Sequence, residues 1–226
     1  MFGLKTKVFG AAEATSWGGS QWAEDLESAN CFNGEAGGIV ATTEVATLTG
    51  WRPVETLRPG DWVMNFDEEW VEVAGIRRSP LWTGNRSCPP SLVPVHVPAG
   101  LLGNNQVMTL LPEQFILFES DDVFDLFGLH TVMVQAVDLV GFAGITQVEP
   151  LHPVEVVQLD LGSDEAIMVE GGATLFCPGD AARGVTSIAD LLSDQPEEAP
   201  GLFEDCPKLS GDETFVLMHA IAPQAH

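Results

Sequence analysis

Between residues 38 and 180 the apolar positions come in short bursts separated by turn residues, and few of them recur at a helical period. Val45-Ala46-Thr47-Leu48 runs into Thr49-Gly50, and Asp61 to Phe66 runs into an acidic turn. From Trp70 to Ile76 the pattern partly alternates, with Val71 and Val73 on one face, Glu72 on the other, and Gly75 as an interruption. Further runs lie at Val93 to Val97, Phe115 to Phe118, Val132 to Val134 and Val154 to Leu161, and Glu165 to Val169 is the last clear one. Many short strands between Gly/Pro turns predict an all-β, coiled fold. The strand tryptophans Trp51, Trp62 and Trp70 are expected in its core.

The flanks differ from this centre. Residues 1–37 read as an N-terminal arm in which Ser20 caps a short helix over Gln21 to Ser28, so that Trp22 and Leu26 share a face. Residues 181–226 read as a C-terminal extension. Here Ser187 caps a short helix (Ile188 to Leu192), a linker runs from Asp194 to Gly201, and Phe215 to Met218 reads as one more strand.

Charge narrows the partners. The 226 residues carry a formal charge of −24, which opposes nucleic-acid binding because phosphates need Lys and Arg to neutralise them. With 45% hydrophobic residues there is material for a sizeable core. No apolar run is long enough to cross a bilayer, and Met1 to Lys7 lacks a signal-peptide stretch, so a soluble protein without membrane insertion is expected. Cys31, Cys88, Cys177 and Cys206 form no CxxC pair, and the five histidines show no HxxxH or HExxH spacing. Asp121, Asp122 and Asp125, beside Glu119, lack calcium-loop spacing and read as a solvated acidic turn. Neither a metal nor a cofactor is expected. Oligomeric state is not readable.

Three separated segments carry a resemblance. The first is Gly50-Trp51-Arg52-Pro53-Val54-Glu55-Thr56-Leu57-Arg58-Pro59-Gly60-Asp61, where Pro59 presets φ and Gly60 accepts a positive φ. The second is Pro94-Val95-His96-Val97-Pro98-Ala99-Gly100 with Leu102-Gly103-Asn104. The third runs from Val134-Gln135-Ala136-Val137-Asp138-Leu139-Val140 to Val154–Leu161 and on to Glu165–Gly171. In that order they resemble the bacterial hedgehog/intein (Hint) domains, over roughly residues 38–180.

That resemblance implies a self-cleaving chemistry. A Cys or Ser at the domain start attacks the preceding carbonyl, and the His of a Thr/Ser-x-x-His motif polarises the scissile amide and protonates the leaving nitrogen. Placed on this pattern, the family's Gly-Thr pair falls on Thr42-Thr43 and the nucleophile falls on Gly38. The Ser-x-x-His segment falls on Leu111-Pro112-Glu113-Gln114. Gln158, and a position near Asp164, stand where the family often has histidine. Leucine cannot replace a hydroxyl, and an amide does not titrate. The resemblance therefore implies a Hint scaffold without its nucleophile or acid/base, with Gly38, Thr43, Gln114, Gln158 and Asp164 as vestigial positions.

The expected role is a non-enzymatic structural or adaptor protein that binds other proteins, with Trp17, Trp22 and Phe203 as anchors. Degenerate Hint-like proteins also occur among phage-type structural genes, including those of gene transfer agents. The resemblance thus implies a particle component, such as a head-spike base or tail-associated part, located in a virion or phage-like particle and otherwise in the cytoplasm. Two alternatives stay open. Cys31-Phe32 resembles the Cys-Phe start of many family members, which would make Cys31 the nucleophile of an autoprocessing domain after a loop through Gly34, Gly37 and Gly38. A carbohydrate-binding module would use surface indoles, with Trp17, Trp22 and Trp82 left for that role. The chain ends in Ala225-His226 rather than the terminal Asn that splicing inteins use, which disfavours splicing.

Overall fold

In the computed structural model, residues 38–83, 87–179 and 206–221 are described. Fourteen strands, two α-helices and three short 3-10 turns occupy them. The predicted anchors Trp17, Trp22 and Phe203, the rival nucleophile Cys31 and the helices expected at Gln21–Ser28 and Ile188–Leu192 lie outside the described residues.

The strands are β1 (Gly38–Val40), β2 (Glu44–Thr47), β3 (Gly50–Pro53), β4 (Trp62–Met64), β5 (Trp70–Glu72), β6 (Gly75–Trp82) and β7 (Val95–Val97). They continue with β8 (Met108–Leu110), β9 (Phe115–Glu119), β10 (Thr131–Gln135), β11 (Thr146–Gln147), β12 (Val154–Asp160), β13 (Glu165–Val169) and β14 (Ala173–Cys177). A long antiparallel sheet runs β10-β9-β14-β13-β2-β4-β5, with β3 added beside β2. Two three-stranded sheets, β1-β12-β6 and β11-β7-β8, complete the all-β body.

Turn chemistry sets these registers. At Pro59-Gly60 the glycine takes φ +91° and the Asp61 N–H reaches the Arg58 carbonyl at 3.0 Å, closing the turn that admits β4. The β13–β14 hairpin closes over Glu170-Gly171-Gly172: Glu170 and Gly171 take φ +50° and +93°, and the Gly172 N–H reaches the Val169 carbonyl at 3.1 Å before Ala173 pairs with Val169. A side chain at Gly171 would collide with Asn105, so the loop before β8 packs directly on this turn. Asn104 locks that loop: its Nδ2 donates to the carbonyls of Pro98 (3.0 Å) and Gln106 (2.6 Å), and its Oδ1 accepts from the Leu102 N–H at 3.0 Å.

The main core gathers the inward side chains of several strands, with Ile39, Val45, Val63, Val157, Leu159, Ile167, Val169 and Leu175 buried together. A second cluster joins Val40, Leu81, Leu111 and Val156, and a third joins Leu117, Met133, Ala166, Phe176 and Cys206.

Several expectations are corrected. Phe215–Met218 is not a strand but part of helix α2 (Gly211–Ile221). Ser210 and Glu213 form a capping box there: Glu213 Oε2 accepts from the Ser210 N–H at 2.8 Å, and Leu217 and Met218 then reach the main core. The acidic stretch is not a turn but helix α1 (Asp121–Phe127), capped by Ser120 Oγ on the Val123 N–H (3.2 Å) and ended by Gly128 at φ +69°. Its aspartates sit in the first turn, where the helix dipole favours them. Glu165–Val169 is not the last strand, since the wholly buried β14 follows. Trp51, Trp62 and Trp70 are not core residues: all three are exposed.

Candidate functional site

Strand β1 is the centre of the site that the resemblance implies. It pairs antiparallel with β12 so that Gly38 lies opposite Gln158, Ile39 opposite Val157 and Val40 opposite Val156. On the far side of β12, Gln158 lies opposite Arg77 of β6. Gly38, Gln158 and Arg77 thus form one row across three strands, with side chains on one face. Gly38 contributes nothing to that face. Gln158 is fully buried, and its Oε1 accepts from the Arg77 Nε–H at 2.6 Å. A guanidinium only donates, so this bond fixes the amide orientation and points Nε2 away, where it has no partner among the described residues.

Two residues along, the same face becomes apolar. Val40 and Val156 pack with Leu111 and Leu81. Leu111 therefore fills the space beside β1 that the resemblance gives to a hydroxyl. Gln114, three residues on, is buried too. Its backbone N–H turns back to the Leu111 carbonyl (3.1 Å) and its Nε2 donates to the Phe176 carbonyl of β14 at 3.5 Å, while Oε1 is unpartnered among the described residues. The two glutamine amides are thus engaged by different sheets.

Of the remaining positions, Thr43 is buried, and its carbonyl accepts from the Val54 N–H at 2.9 Å, anchoring the start of the β2–β3 hairpin. Asp164 stands apart: its Oδ1 accepts from the Gly179 N–H at 2.8 Å and closes the end of the β13–β14 pair. The structure therefore brings together Gly38, Gln158 and, through Val40, Leu111. Arg77 belongs to this row as well, and nothing in its local sequence marked it.

The described cysteines are poorly suited to nucleophilic work. Burial, with the neighbouring Glu165 charge, pushes the Cys177 thiol up to about 12, and burial pushes Cys206 up to about 11. Cys88 is raised by burial and by the Glu149 charge. Among the described residues no three His, Cys, Asp or Glu side chains gather as metal ligands. No helix there is long and apolar enough to cross a membrane.

The family model for the Hint domain matches residues 38–175. The chain belongs to the Hint-domain family. This Hint domain is also similar to solved structures at low identity. One is the bacterial intein-like domain from Clostridium thermocellum, with 14% identity and a TM-score of 0.41, covering 62% of this chain and 97% of that one. The gp41-1 intein gives 12% identity, a TM-score of 0.39 and coverage of 61% and 98%. The MchDnaB-1 intein gives 15%, 0.35, and 60% and 98%. No curated protein matches the chain significantly.

Proposed function

We propose that this Hint domain is catalytically silent and serves as a structural or adaptor protein. We propose further that it is a component of a phage-like particle of the gene-transfer-agent kind, with other particle proteins as its partners. The observation that carries the silent reading is the row Gly38–Gln158–Arg77. An acyl shift needs a nucleophilic side chain beside the scissile carbonyl and a group that can move a proton near neutral pH. At the corresponding places stand a residue with no side chain, a buried leucine and two buried amides. Losing both kinds of group removes catalytic contributions each worth about 10²–10⁴-fold or more.

Intact mass of the freshly purified chain, before and after dithiothreitol and hydroxylamine, tests this reading. An unchanged full-length mass is expected. A break immediately before Cys31 would overturn it and make the chain an autoprocessing domain. Mass spectrometry of purified particles from the source organism tests the second half: absence of this chain from them removes the particle assignment.

A further inference from the structure

Three tryptophans expected in the core lie instead on one outer face of the long sheet. The register shows how. Val45, Thr47 and Val63 point to the core, and Thr47 pairs with Val63, which pairs with Val71. The alternate positions must point outward. Those are Ala46, paired with Trp51; Trp62, paired with Glu72; and Met64, paired with Trp70. Trp51, Trp62 and Trp70 are 42%, 39% and 38% exposed, far more than a monomer's core indoles show. Trp62 and Trp70 sit on the paired strands β4 and β5, and Trp51 joins the same face from β3, one strand beyond β2; three large aromatics grouped on one face are more than scattered exposure.

Charge says what fits there. Glu72 stands directly across from Trp62, and Asp67, Glu68 and Glu69 form the turn that carries β4 into β5. All four carboxylates are exposed, and none is ion-paired with a described residue. From Pro59 to Ile76 there is no Lys or Arg. Indole faces attract cations through their quadrupole, and flanking carboxylates add to the same field.

We propose that the outer face of β3-β2-β4-β5 docks a basic, Arg- and Lys-bearing segment of a partner protein. Cations stack on Trp51, Trp62 and Trp70, and the 67–69 turn and Glu72 pair with neighbouring cations. The proposal deepens the adaptor reading and rests on it for a protein as occupant. It places the contact on the β domain itself, on strands other than the β1, β12 and β6 of the Gly38 row.

The test is a tryptophan-fluorescence and calorimetric titration of the full chain with a synthetic Arg/Lys-rich dodecapeptide, at low and high salt. A same-length Gly/Ser peptide and chitohexaose are titrated in parallel. Saturable binding of the basic peptide that weakens as salt rises is expected. The triple variant Trp51→Ala/Trp62→Ala/Trp70→Ala, checked for native circular dichroism, should bind roughly tenfold more weakly or worse, from three exposed cation–π contacts. A second variant, Asp67→Asn/Glu68→Gln/Glu69→Gln/Glu72→Gln, keeps the indoles and should lose most of the salt dependence. Affinity and salt dependence unchanged from the parent chain in both variants would overturn the proposal, leaving only the attraction of any polycation to an acidic chain. Salt-independent chitohexaose binding lost in the triple variant would overturn it in favour of a sugar platform. Failure here with an unchanged intact mass removes this surface alone, whereas self-cleavage in that mass experiment removes the silent-scaffold reading alone.

Discussion

The face around Gly38 and the face around Trp62 were built from the same material, paired short strands with alternating side chains, and ended in opposite states. Around Gly38 the strands β1, β12 and β6 turn inward, and what stands there is filled or tied: Leu111 against Val40 and Val156, and Gln158 held by Arg77. Around Trp62 the strands carry three large aromatics outward among carboxylates. Polar side chains are buried where the family resemblance places proton-transfer groups, and apolar ones are exposed where a core was expected. Burial of a polar group is tolerated when it is hydrogen-bonded, while large aromatics grouped on an exposed face are a feature of contact surfaces. Of the two, the indole face is the one left open to solvent.

The largest expected effect tests whether the Gly38 face is packed. Leu111→Ala removes a buried side chain from the cluster of Val40, Leu81 and Val156 and should cost about 2–5 kcal/mol of stability. Urea unfolding reads this directly. A cost below about 1 kcal/mol would mean that the space beside β1 is loosely filled and open to a ligand.

Next in size is the tie between Arg77 and Gln158. Arg77→Ala leaves the Gln158 Oε1 buried and unpaired, and should cost about 1–3 kcal/mol. Gln158→Leu removes the bonded oxygen and the unpartnered Nε2 together, and should be close to neutral. The double variant should then show no added cost from Arg77→Ala. A full additive cost in that cycle would mean that Arg77 acts through some other contact.

Trp62→Ala should cost about 1 kcal/mol, less than either change above, because the indole keeps 39% of its surface in water and its strand partner is Glu72. Thermal melts of this variant beside Leu111→Ala would set the two faces against each other directly. A loss as large as that of Leu111→Ala would mean that the indole is held by the body of the domain rather than kept for a partner.

How much of this was legible beforehand depended on whether a local signal existed. Strands β9, β10, β12 and β13 announced themselves as β-branched or apolar runs between turn residues, and Pro59-Gly60 marked its turn correctly. Strand β14, Ala173-Thr174-Leu175-Phe176-Cys177, was missed because it is buried on both faces and does not alternate. The Glu170-Gly171 hairpin turn was its available signal. Neither helix stands out by period although Ser120-Asp121-Asp122 and Ser210-Gly211-Asp212-Glu213 are helix-start signatures, because each is short. Trp51, Trp62 and Trp70 were misplaced for a different reason. Hydrophobicity alone assigns an indole to the core, but Val63 and Val71 occupy the inward positions of the same strands, and period two sends their neighbours out. Within the inherited site, Gly38 and Gln158 could be named from the family pattern, but their pairing across β1 and β12 and the role of Arg77 depend on long-range register that no local window contains.

The smallest expected effect separates buried charge from buried packing within the long sheet. Glu170 closes the β13–β14 turn, and its Oε1 accepts from the Glu44 N–H at 2.9 Å. Burial raises its carboxyl above the ordinary value; the bond from the Glu44 backbone opposes this, and the Glu44 charge adds to it. A carboxyl raised in the folded state contributes its full stability below its unfolded value, and that contribution is lost as pH rises through the folded value. Glu170→Gln keeps an oxygen for the Glu44 N–H and cannot ionise. Its melting temperature should therefore match that of the parent chain near pH 4 and exceed it slightly at pH 8. Melts at the two pH values decide it. A difference that stays constant with pH would assign the effect to packing at the turn, and the ionised Glu170 would then have no part in limiting the sheet's stability.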